Sequence, residues 1–62
     1  MTPQDIIWRV TEHLEETKSI VASGVEECHP VRHQDLISTL HEVERLIQTQ
    51  IHLMNRVKRR YP

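Results

Sequence analysis

Histidine is the chemistry-bearing residue this chain uses most freely: five occur in 62 residues, beside a single cysteine. Cys28, His29 and His33 form the tightest group. A thiolate and two imidazoles are suitable zinc donors, and histidines four apart share one face of a helix. Pro30 stands between them and disturbs that register. No fourth ligand follows in the pattern, although Glu26, Glu27 or a second chain could supply one. The competing reading is a polar connection holding one semi-buried thiol, the usual condition of a free cysteine. The sequence therefore offers Cys28, His29 and His33 as a weak metal candidate, and no cofactor is expected. His41 and His52 are eleven apart, about three helical turns, and lie along one face, with His13 placed to face them from an earlier helix. They are ordinary rim histidines or, read more sharply, an acid-sensitive set. Protonating all five would move the formal charge from −1 toward about +4.

The second group is the C-terminal run Arg56-Val57-Lys58-Arg59-Arg60-Tyr61-Pro62. Arg56, Lys58, Arg59 and Arg60 are candidate phosphate contacts, with Tyr61 as a ring for base stacking. The same charges are also what a helix dipole favours at a C-terminal end. Enzymatic chemistry finds no support. The chain has one glycine, too few for a phosphate-cradling loop, and no serine–histidine or cysteine–histidine pair sits in a strand–turn–helix context. The sequence is expected to be that of a non-enzyme.

The elements that must position these residues are helices. Thr2-Pro3-Gln4-Asp5 suits a helix start: Thr2 can cap, Pro3 fits the first position, and Asp5 sits where the dipole favours an anion. Ile7, Val10, Leu14 and Val21 then recur in steps of three and four, with Thr17 among them and Ile6 and Ile20 alongside. The spacing predicts helix 1 over about 3–22, ended by Ser23-Gly24 with glycine as a left-handed cap, and a connection over about 23–31. Helix 2 is expected over about 32–59, leaving a short basic tail. Its seam reads Leu36, Leu40, Val43, Ile47, Gln50, Met54, Val57 and Tyr61, alternating steps of four and three. Ile37, Leu46, Ile51 and Leu53 widen that stripe beyond what one neighbour can cover. Gln50 is its one polar member, able either to fix register across an interface or to turn to the rim.

A connection this short favours antiparallel neighbours. The expected fold is all-α: one domain, an antiparallel hairpin with a longer second arm whose basic end projects beyond the first. Helix 1 and helix 2 share the core or dimer seam Ile7, Val10, Leu14, Val21, Leu36, Leu40, Val43, Ile47 and Gln50. With no phenylalanine, two aromatic residues and one cysteine, a monomeric core must be aliphatic and has no internal disulfide. Pairing two hairpins into a four-helix bundle covers the wide stripe, and a homodimer is expected.

Charge is uneven. Residues 1–30 hold six acids against Arg9 and Lys18, whereas residues 31–62 hold six bases against Asp35, Glu42 and Glu44. Pairing of the acidic half with the basic half is the simplest use of that asymmetry. The sequence has neither an apolar run of membrane-spanning length nor the pattern of a signal peptide, and its single cysteine suits the cytoplasm.

Size and hairpin plan resemble those of small bacterial or phage regulators and small helical secretion chaperones. That likeness of plan transfers no functional residue. The expected function is a protein-binding module that regulates, inhibits or chaperones a larger protein, with Trp8, Ile51, Leu53, Met54 and Val57 as its contact. Trp8 is expected beside the Ile51–Met54 region, at the core edge or as an exposed anchor. The alternative is a nucleic-acid-binding regulator using the paired basic tails of a dimer.

Overall fold

The computed structural model describes all of residues 1–62. Two helices, α1 (Pro3–Glu27) and α2 (Gln34–Lys58), pack against each other as a hairpin with no strand. The start of α1 follows from its sequence. Thr2 is extended at the cap, its hydroxyl accepts from the Asp5 N–H at 3.2 Å, and Pro3 occupies the first helical position. That satisfies one of the backbone donors a helix start leaves unpaired.

The end of α1 differs from expectation. The helix runs through Gly24 to Glu27, and no residue, glycine included, has a positive φ. The chain instead leaves the helix at Cys28, where it becomes extended on approach to Pro30, whose ring disfavours helix at the residue before it. Both helices are therefore 25 residues long, and the hairpin has equal arms. The tail does not project. Arg60 and Tyr61 donate back to the carbonyls of Val57 and Lys58, and the Gln4 side-chain amide donates to the Pro62 carbonyl at 3.4 Å.

Four residues are buried: Ile7, Val21, Ile47 and Ile51. Leu14, Leu40 and Val43 pack half-buried against the last three. The contact between the helices reads as two strict heptad seams. On α1 it runs Ile7, Thr11, Leu14, Lys18, Val21, Val25 and on to Cys28, and on α2 Ile37, Leu40, Glu44, Ile47, Ile51 and Met54, every member buried or half-buried. Polar members are handled individually. The Lys18 ammonium crosses to the Gln48 carbonyl oxygen, its stem covering apolar surface as long basic side chains do.

This seam is rotated from the expected one. Ile7, Val21 and Ile47 are buried and Leu14, Leu40 and Val43 half-buried, but Val10, Leu36 and Gln50 are exposed. Ile51, expected at a partner surface, is 4% exposed and belongs to the core. No helix is long and apolar enough to cross a membrane.

Candidate functional site

The hairpin has two unlike broad sides, and helical rotation of about 100° per residue decides which residues go to each. On one side Gln4, Trp8, Thr11 and Glu12 of α1 share a groove with Asn55, Lys58, Arg59, Tyr61 and Pro62. Gln48 and His52 extend that side along α2, linked by a 3.3 Å contact between the amide nitrogen and the ring Nε2. The opposite side collects what the core seam leaves over. On α1 these are Ile6, Val10, His13, Thr17 and Ile20. On α2 they are Val43, Leu46, Gln50, Leu53 and Val57, with Leu36 at the loop end. Steps of three and four recur in both sets, so each helix carries a second heptad seam beside the one it uses. Ile20 is 63% exposed, Leu46 52% and Leu53 49%.

The groove of about 610 Å³ lies at the open end of the hairpin, where the termini meet. Ile7 forms its floor, and Trp8, 67% exposed, stands on its wall. Trp8 lies opposite Asn55, Lys58 and Arg59, about one turn farther along α2 than the expected Ile51–Met54. The Thr11 hydroxyl, also lining the groove, is buried with no hydrogen-bond partner. The expected partner contact is thus divided: Trp8 faces the groove, Leu53 and Val57 face the opposite apolar side, Met54 is half-buried and Ile51 is in the core.

The basic residues of the tail are all exposed. Lys58 and Arg59 border the groove, whereas rotation sends Arg56 to the outer flank of the apolar side.

The histidines of the connection serve the backbone. The His29 Nδ1 accepts from the N–H groups of Val31 (3.2 Å) and Arg32 (3.1 Å), as a capping side chain does at a helical turn that begins with Pro30. The His33 Nδ1 returns to accept from the His29 N–H at 2.8 Å. The pair makes a reciprocal cap like a capping box but one residue longer, with imidazoles in place of the usual hydroxyl and carboxylate, and its rings stand edge-on, 6.4 Å apart. No three His, Cys, Asp or Glu side chains are gathered closely enough to hold an ion. His41 sits 3.8 Å from Glu44, while His13 borders a shallow cleft made with Arg9, Val10, Leu14 and Thr17 of its own helix. His13 therefore does not face His41 and His52.

Sequence alone did not single out the Thr11–Lys18–Glu44 interruptions of the inner seam or the groove at the termini. The seam could have been found from its regular steps, had polar members been allowed. Comparison with protein families, curated proteins and solved structures finds no match for this chain.

Proposed function

We propose that this chain is a non-enzymatic protein-binding module that works as a homodimer, two hairpins forming a four-helix bundle, and that regulates, inhibits or chaperones a larger protein. One observation carries the reading. The chain buries four residues while leaving Ile6, Val10, Ile20, Leu36, Leu46, Leu53 and Val57 exposed, and Trp8 with them. Contiguous apolar surface on this scale marks a protein contact. The apolar broad side is the face for the second copy. The groove beneath Trp8 remains open on the other side and is the face for the larger partner, with tryptophan as anchor and Lys58 and Arg59 as its charged border. The reading places the protein in the cytoplasm, in keeping with its unpaired Cys28.

The test is affinity capture of a tagged copy from its native cells, with and without nuclease, alongside a Trp8→Ala variant. The reading expects one dominant protein that survives nuclease and moderate salt and is lost with Trp8→Ala. Recovery of nucleic acid, with binding that falls steeply as salt rises, would move the function to Arg56, Lys58, Arg59 and Arg60.

A further inference from the structure

The apolar side has an internal symmetry that determines how a second copy fits it. Cross-helix contacts set the relative height of the two helices. Lys18 meets Gln48, Gln4 meets Pro62, and a side chain at Gly24 would meet Leu40. The paired numbers add to 64–66 in each case, so Glu15 and Gln50 stand at one level. About that level both exposed seams are palindromic. On α1, Val10 mirrors Ile20 and His13 mirrors Thr17. On α2, Val43 mirrors Val57, Leu46 mirrors Leu53 to within one residue, and Gln50 falls on the centre. A single two-fold axis at this height places both seams in register at once.

We propose that the second copy seats on this side about a two-fold axis perpendicular to the helices at the level of Gln50, with α1 antiparallel to α1, α2 antiparallel to α2, and Gln50 meeting Gln50. The inference rests on the dimer reading above and supplies its geometry. A glutamine amide both donates and accepts, so two of them can satisfy each other across an axis and fix the register.

Gln50 favours this arrangement over the other two-fold solution, in which the axis runs along the helices, α2 lies on α1 and Gln50 falls between His13 and Thr17 rather than on its own copy. In the antiparallel form, Glu42 on the outer flank of α2 comes within about 3 Å of the height of Arg56 in the second copy, at 1.5 Å per residue. Both of these pairs are of opposite sign, but the same symmetry brings Arg45 within about 2 Å of the height of Arg56 in the second copy, Asp5 within about 3 Å of Glu27, and Glu16 beside its own mate. In the other form, Arg56 comes level with Arg9 and Arg60 comes level with Asp5, so each form brings together pairs of both kinds and charge does not separate them. Area is adequate. The Cα atoms span 46 × 16 × 12 Å, so the broad side offers a footprint on the order of 700 Å² before side chains widen it, close to the roughly 800 Å² per partner of a standard interface.

The consequence is functional. The two Trp8 grooves and the two basic ends lie at opposite ends of the bundle, the Arg59 residues separated by roughly 27 Å along its length at 1.5 Å per residue. The dimer is then a two-ended binder, and its basic tails do not merge into one patch.

Cysteine cross-linking tests the register. In a Cys28→Ser background, Gln50→Cys and Arg60→Cys variants are oxidised mildly after their solution mass has been measured. The proposal expects a dimer that links covalently in most molecules through Gln50→Cys and not through Arg60→Cys. A mixture of Val43→Cys and Val57→Cys chains should link to each other far more than to themselves, which provides a second readout should Gln50→Cys fold poorly. A dimer linked through Arg60→Cys, or linked at neither Gln50→Cys nor the mixed pair, would overturn the register and leave the dimer reading standing. A monomer before oxidation would remove both.

Discussion

Gly24→Ala is the most direct probe of how α1 ends. The residue lies inside the helix, three positions before its last residue, with no positive φ to favour glycine. A methyl group built there would meet the Leu40 Cδ1 at 3.9 Å, an ordinary packing distance. Nothing need move, and the added carbon gains contact. Alanine exceeds glycine by about 0.8–1.0 kcal/mol in a helix interior. Proximity to the helix end, where fraying weakens the effect, makes about 0.5–1 kcal/mol the working figure. At roughly 4–8 °C per kcal/mol for a domain of this size, Tm should rise by about 2–8 °C. The assay is thermal unfolding followed by far-ultraviolet circular dichroism, wild type and variant at equal concentration because self-association makes Tm concentration-dependent. Were Gly24 instead the left-handed cap that its position after Ser23 suggests, alanine would be strained and Tm would fall. A fall would therefore refute the continuous helix to Glu27.

Three further outcomes follow from particular contacts. Thr11→Val removes a buried hydroxyl that has no partner and should stabilise by about 1 kcal/mol in denaturant unfolding, since an unsatisfied buried polar group costs about 1–3 kcal/mol. Ile51→Ala empties the most buried position of the core and should cost about 2–5 kcal/mol, enough to leave the chain largely unfolded by circular dichroism in mild urea. His29→Ala removes the acceptor for two turn N–H groups and should cost about 0.5–2 kcal/mol, as loss of a helix cap does, with His29→Asn restoring most of it. Amide exchange at Val31 and Arg32 should quicken in His29→Ala and slow again in His29→Asn.

Much of the hairpin was legible in the sequence because its causes are local. Thr2, Pro3 and Asp5 specify the start of α1, Pro30 forbids helix across the connection, and three-and-four spacing marks Ile7, Leu14, Val21, Leu40 and Ile47 as inward. What the sequence left open was rotation. The apolar stripe of α2 covers more than half its circumference and contains two complete seams. The seam that packs on α1 is interrupted by Glu44, and its counterpart on α1 by Thr11 and Lys18. The more regular series thus mixed inner residues such as Leu40 and Met54 with outer ones such as Leu36 and Val57. Ile51 and Trp8 were assigned to one patch for the same reason, although they differ by a third of a turn in their relation to the core. Gly24 was misread because a glycine near a helix end commonly caps it, and only the backbone shows that this one does not. The mutual capping of His29 and His33 was hidden because imidazoles seldom play that part, and a spacing of four histidine-to-histidine suggests a metal first.

The central claim is that the uncovered apolar side is a protein interface, occupied in the free protein by a second copy. Sedimentation equilibrium at micromolar concentration tests it most directly, comparing wild type with Leu46→Asp, a charge placed in the middle of that side. The account predicts twice the 7.4 kDa of a single chain for wild type and a shift toward one chain for the variant. A well-folded wild-type monomer, or a dimer indifferent to Leu46→Asp, would contradict it.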